Sequence, residues 1–180
     1  DKKHVLNSKL KRLLKTNYFL VIQHPVLIEK ENSYKYMYNT LRSLEKFNLY
    51  KKIVVYPNVD SGNKKIIKLI NKYENKKNFY IFKNIDRESF KIVLKNSKLI
   101  IGNSSCGILE APTFKVPAIN IGNRQRDRFQ SNNVINCNHN IQSITKSIKK
   151  AMKNKKFLKK LKKCKNPYGN GNSSIKIVDI

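Results

Sequence analysis

Lys98-Leu99-Ile100-Ile101-Gly102-Asn103-Ser104-Ser105-Cys106-Gly107 is the stretch on which the fold turns. Its apolar run, Lys98 to Ile101, reads as a buried strand, and the glycine-flanked serine turn that follows opens a helix. Pro112 bends or ends that helix early, because its ring cannot continue the helical ladder. A further apolar run, Val116 to Ile121, is the next strand. Strand, helix and strand in this succession predict a parallel sheet.

The same alternation extends in both directions. Toward the N-terminus, a short amphipathic helix over Val5 to Lys15 precedes a first strand at Tyr18 to Gln23. Tyr34, Met37, Tyr38, Leu41 and Leu44 recur at helical steps, with Asn32 or Ser33 as N-cap. Lys52 to Tyr56 is a strand, Ile66, Leu69, Ile70 and Tyr73 mark a helix, and Phe79 to Phe82 is a third strand. Phe90, Val93 and Leu94 belong to a short helix entered through Asp86. Beyond the decisive stretch, Val134 to Cys137 is a sixth strand, and Ile141 to Leu161 carries an amphipathic helix pair. The chain therefore reads as α/β, a Rossmann-like open parallel sheet with flanking helices, forming a single domain over residues 1–180.

Composition narrows the function classes. The 39 Lys and Arg against 11 Asp and Glu give a net charge of +28, which alone suggests nucleic acid or an anionic surface. The cations are nearly all Lys, spread along the chain and accompanied by abundant Asn, which resembles AT-rich coding bias on solvated faces. The densest run, Lys149 to Lys165, has only Phe157 among its lysines, so no nucleic-acid reader is expected. No stretch approaches the roughly 20 apolar residues of a membrane span, and Asp1-Lys2-Lys3-His4 is not a signal peptide, so a cytoplasmic protein without a membrane partner is expected. Cys106, Cys137 and Cys164 lack a Cys-x-x-Cys pair and are expected as free thiols. His4, His24 and His139 show no metal-ligand constellation.

In an open parallel sheet, ligands bind beyond the carboxyl ends of the strands. His24-Pro25, Pro57-Asn58-Val59-Asp60-Ser61-Gly62, the serine turn and Gly122-Asn123-Arg124-Gln125-Arg126 all follow strands, so they converge on one edge. The serine turn is an anion cradle: backbone N–H groups, the hydroxyls of Ser104 and Ser105, and Gly107 to let a phosphate approach. Helix capping by the serines is the plainer alternative. Glu110, placed in the first turn of that helix, either compensates the dipole or accepts hydrogen bonds from ribose hydroxyls. Arg124 can hold a phosphate in bidentate fashion. His24 is either a structural histidine or a participant, and Asn58 can serve only its own turn. Asn103-Ser104-Ser105-Cys106-Gly107 also approximates a nucleophile elbow, with Asp127 and His139 in triad order, although Asn103 replaces its first glycine.

Together these segments, with Asn166-Pro167-Tyr168-Gly169-Asn170-Gly171 near the end, resemble the hydrolysing UDP-N-acetylglucosamine 2-epimerases over about residues 18–180. The resemblance implies one half of a glycosyltransferase-B-like (GT-B) two-domain fold, the C-terminal half that binds UDP, with the catalytic carboxylates in an N-terminal half. Carried over by motif, His24, Asn58, Ser104, Ser105, Glu110 and Arg124 are the UDP-binding positions, and His24 is also the candidate catalytic residue. The implied partners are UDP-N-acetylglucosamine or UDP, the N-terminal half and further copies of the full-length chain; no cofactor or metal is implied. Asp127 stands where the family usually has glycine, and pointed inward it would repel phosphate. Alternatives of the same architecture are a non-hydrolysing epimerase and a GT-B glycosyltransferase; a basic nucleic-acid-binding module is the alternative of another class.

Overall fold

The computed structural model describes residues 7–169. Its sheet has six parallel strands, β1 (Tyr18–Ile22), β2 (Lys51–Val55), β3 (Phe79–Phe82), β4 (Leu99–Gly102), β5 (Ala118–Ile121) and β6 (Val134–Cys137), in the order β3-β2-β1-β4-β5-β6. The order reverses between β1 and β4, where neighbouring loops leave in opposite directions and open a crevice. Ile22 pairs with Gly102 at the mouth of that crevice.

Seven helices accompany the strands among the described residues: α1 (Ser8–Leu14), α2 (Ser33–Glu45), α3 (Asn63–Asn71), α4 (Arg87–Asn96), α5 (Cys106–Leu109), α6 (Ile141–Lys153) and α7 (Lys155–Lys162). Period-two alternation along the strands divides the core into two layers. Phe19, Val21, Val54, Leu99, Ile101, Ile119 and Ile121 face α2, α3, α6 and α7. Tyr18, Leu20, Ile22, Ile53, Ile100 and Ala118 face α1 and α4. Both faces are covered, which is why the strands read as unbroken apolar runs.

Local chemistry sets the ends of the helices. Asn7, Asp86, Asn140 and Asn154 each accept a backbone N–H at an N-cap, so Asp86 starts α4 as expected. Asn154 does double duty: its extended backbone (φ −77°, ψ 109°) ends α6, while its side chain accepts from Phe157 N at 2.8 Å to start α7. Asn32 stands at the N-cap of α2 without a side-chain bond, because the 3-10 segment Leu27–Asn32 already leads into the helix.

Some expectations shift. The fifth strand begins at Ala118 rather than Val116, after Pro117, which has no N–H for the ladder. The first helix runs from Ser8; Val5 and Leu6, like Asp1-Lys2-Lys3-His4, Asn170 and Gly171, lie outside the described residues. One lysine is not on a solvated face: Lys52, in β2, is buried, with Nζ donating to Phe47 O at 2.9 Å and lying 5.2 Å from the Phe79 ring centre. Burial pushes its pKa down to about 8. No helix among the described residues is long and apolar enough to cross a membrane.

Candidate functional site at the strand-order switch

The site is built on a glycine. Gly102 ends β4 with φ +136°, and a Cβ there would lie 1.8 Å from the Ile22 carbonyl oxygen. Only glycine lets the exit of β4 pass this close to β1. The close passage delivers the next residue, Asn103, into the crevice with 1% of its surface exposed. Its Oδ1 accepts from His24 N at 2.7 Å, and its Nδ2 donates to His24 O at 2.9 Å. Its own carbonyl accepts from Gln125 Nε2 at 2.9 Å, with Arg124 Nη1 at 3.5 Å. Asn103 thus ties together the loops after β1, β4 and β5.

The loop after β2 joins through His24. The imidazole Nδ1 accepts from Asn58 N at 3.0 Å, which places the proton of the neutral ring on Nε2 and makes that nitrogen a donor. Burial, reinforced by the Arg124 charge and opposed by Asp60 and Asn58, lowers the His24 pKa to about 4. At neutral pH the ring is an uncharged donor. Asp60 Oδ2 accepts from Asn58 Nδ2 at 2.5 Å and lies 3.7 Å from Arg124 Nη2.

The serine turn continues from Asn103. Ser105 occupies the N-cap of α5 in relaxed helical geometry (φ −60°, ψ −26°), and its hydroxyl makes no capping bond. Ser104 Oγ accepts from Cys106 Sγ at 3.1 Å. The N–H groups of Ser104, Ser105 and Cys106 have no acceptor among the described residues, as expected at a helix start. Hydroxyl and amide donors are therefore gathered together, which suits an anion. Cys106 is buried, and burial pushes its thiol up to about 11, so it stays protonated.

Two expectations about this turn are corrected. Gly107 serves packing rather than ligand approach: a Cβ there would lie 3.3 Å from Ala118 Cβ, on the sheet side. Glu110 is not in the first turn of α5. The helix ends at Leu109 ahead of the 3-10 segment Ala111–Phe114, and Glu110 is its C-cap (φ −112°, ψ −43°). Glu110 instead lines a groove with Arg87, Lys91, Thr113, Asn166 and Tyr168. Asn166 fixes that wall by donating to Leu109 O at 2.9 Å and Thr113 Oγ1 at 2.7 Å. Ser105 and Glu110 cap opposite ends of the four-residue α5.

The structure thus joins His24, Asn58 and Arg124 in one bonded network, sets Ser104 and Ser105 beside it, and leaves Glu110 one short helix away. Asn103, Gln125 and Asp60 also belong to this network, and no motif in the sequence singles them out; their signal is polar character in the loops that follow apolar strands. The hydrolase arrangement lacks its parts. Ser105 is unstrained, Asp127 is exposed, and His139 stacks on Tyr36 with ring centres 3.5 Å apart. Among the described residues, no group of three or more His, Cys, Asp or Glu could hold a metal.

A doubly wound parallel sheet with polar loops gathered at its switch point defines a Rossmann-like domain of the GT-B type. The chain belongs to the UDP-N-acetylglucosamine 2-epimerase family, whose model matches residues 1–180. It is 35% identical over 141 residues to a UDP-N-acetylglucosamine 2-epimerase of Neisseria meningitidis serogroup B, covering 78% of this chain and 37% of that protein. It is 32% identical over 155 residues to a UDP-N,N'-diacetylbacillosamine 2-epimerase (hydrolyzing) of Legionella pneumophila, covering 86% and 40%. The crystal structure of UDP-GlcNAc 2-epimerase from N. meningitidis bound to UDP-GlcNAc shares the fold, with a TM-score of 0.72, 17% identity and coverage of 96% of this chain and 48% of that one. The chain therefore spans about two fifths of the length of these curated relatives.

Proposed function

We propose that this chain supplies the UDP-binding half of a hydrolysing UDP-N-acetylglucosamine 2-epimerase. The observation that carries this reading is the knot at Asn103, which gathers Arg124, His24 and the serine turn at the switch point. On this reading the diphosphate lies between Arg124 and the donors of Ser104 and Ser105. The ribose reaches Glu110, which stands one short helix beyond Ser105. His24 faces the ligand as a neutral Nε2–H donor, and Asn58 holds its ring.

The reaction is an elimination followed by hydration. A base removes the C2 proton, the C1–O bond to UDP breaks with its electron pair leaving on the diphosphate, and a glycal forms. Water then adds across C1 and C2 to give N-acetylmannosamine. The base and acid are carboxylates outside this chain. The part played here is to stabilise the departing charge with preorganised N–H groups, hydroxyls and a guanidinium. Hydrolytic chemistry draws support from the Legionella relative, whose name carries it. Epimerisation without hydrolysis would release UDP-N-acetylmannosamine instead, so product analysis of the full-length protein separates the two. The remaining partners on this reading are the N-terminal half and further copies of the whole chain, working in the cytoplasm.

Calorimetric titration with UDP tests the binding role directly. One-to-one binding that the double variant Arg124→Ala, Ser105→Ala loses supports it; a folded chain and a full-length protein that both ignore UDP would overturn it.

A further inference from the structure

We propose that Asp60 is the resident counter-ion of Arg124 in the diphosphate site, holding the guanidinium until a ligand's phosphate takes its place and so limiting how tightly the nucleotide is retained. The inference rests on the reading of this site as a diphosphate site. On that reading, a site that receives an anion already contains a carboxylate. Asp60 Oδ2 is fixed by Asn58 Nδ2 at 2.5 Å and lies 3.7 Å from Arg124 Nη2. The pair is loose by the standards of an arginine–carboxylate fork, in which two short parallel bonds form. The other side of the guanidinium is equally loosely engaged, with Nη1 3.5 Å from Asn103 O. Arg124 is therefore oriented while its donors remain largely available.

The exposure of the two side chains fits exchange rather than permanent pairing. Arg124 is 28% exposed and Asp60 is 46% exposed, so the contact lies at the mouth of the crevice, where an incoming phosphate can reach it. Asn58 anchors the carboxylate from behind and also supplies the N–H that sets the His24 ring. Asp60 is thus held near the site after Arg124 turns to the ligand, and two anions then share one cation. Their repulsion across a few ångströms weakens binding and hastens release. This matters for an enzyme whose leaving group is the nucleotide itself. Asp60 is a positioning residue on this account, touching the cation rather than the sugar.

The charge is separated from the shape by comparing Asp60→Asn, which can keep the bond to Asn58, with Asp60→Glu, which keeps the charge. Calorimetry with UDP and with inorganic pyrophosphate should show Asp60→Asn binding both about tenfold more tightly, equivalent to ~1.4 kcal/mol, and Asp60→Glu staying near the parent. A purely structural role would not produce tighter binding. Affinity that is unchanged or weaker in Asp60→Asn overturns the proposal. Tightening for pyrophosphate with no UDP binding would uphold the role of Asp60 and remove the nucleotide reading. Binding of neither ligand by any form removes both. A ligand-free check is the Arg124 guanidinium N–H resonance, which should move in Asp60→Asn; a resonance that stays in place means the pair does not form and also overturns the proposal.

Discussion

Asn103 grips His24 by its backbone from both ends, Oδ1 taking the N–H at 2.7 Å and Nδ2 giving to the carbonyl at 2.9 Å, across the gap where the strand order reverses. A parallel sheet offers no ladder partner to backbone groups beyond the end of a strand, so the amide side chain extends the pairing of β1 and β4 by one more residue. Asn103→Ala leaves both His24 groups without their partner in a largely buried place. The expected cost is about 2–4 kcal/mol, read as a lower urea midpoint, with weakened UDP binding in the same protein. A variant as stable as the parent would show that water replaces the amide.

Gly102 makes that clasp possible. At φ +136°, with the Ile22 carbonyl 1.8 Å from a would-be Cβ, Gly102→Ala must displace backbone rather than a flexible side chain. A loss of about 3 kcal/mol or more is expected, measured by thermal or urea unfolding. Gly122 provides the contrast. Its would-be Cβ meets His139 Nε2 at 2.1 Å, a side-chain atom, so adding His139→Ala to Gly122→Ala should recover part of the loss. His139 truncation leaves Gly102→Ala unrescued.

His24 predicts a dependence on acidity. Its folded pKa is about 4, below the unfolded value of about 6.5, so between those values the unfolded chain binds more protons. The corresponding stability is complete above about pH 6.5 and is lost as the pH falls toward 4. Comparing urea midpoints of the parent and His24→Gln at pH 7 and pH 4.5 should show an excess loss of about 2 kcal/mol in the parent. Equal losses would mean that the ring titrates normally.

Glu110 separates ribose recognition from charge compensation. If its carboxylate accepts from ribose hydroxyls, Glu110→Ala should weaken UDP about tenfold, ~1.4 kcal/mol, while leaving 2'-deoxy-UDP nearly unchanged. An equal effect on both nucleotides would assign Glu110 to the general electrostatics of the groove it shares with Arg87 and Lys91.

Much of the architecture was legible because its signals are local. Apolar runs gave every strand, Asp86 gave the start of α4, and Pro112 the early end of the helix after the serine turn. The edge on which the loops gather followed from strand direction alone. Lys52 was not legible as a buried residue: a lysine in a lysine-rich chain reads as solvated, and only the neighbouring carbonyl of Phe47 and the ring of Phe79 explain its burial. Glu110 was misplaced because the end of α5 is set by the 3-10 turn after it, whose geometry no periodicity reveals.

The sequence by itself determined the succession of strands and helices, the parallel sheet and the segments that gather at its carboxyl edge, since alternation, capping and turn chemistry act over a few residues. Tertiary structure alone decided which of those residues touch. The reversal of strand order brings the loop after β4 against the loop after β1, and that adjacency gives Asn103 its grip on His24. The side-by-side placement of β2 and β1 brings Asn58 to the Nδ1 of His24, and the loops after β2 and β5 meet where Asp60 approaches Arg124. Such contacts depend on the lateral order of strands, which is fixed by packing both faces of the sheet at once.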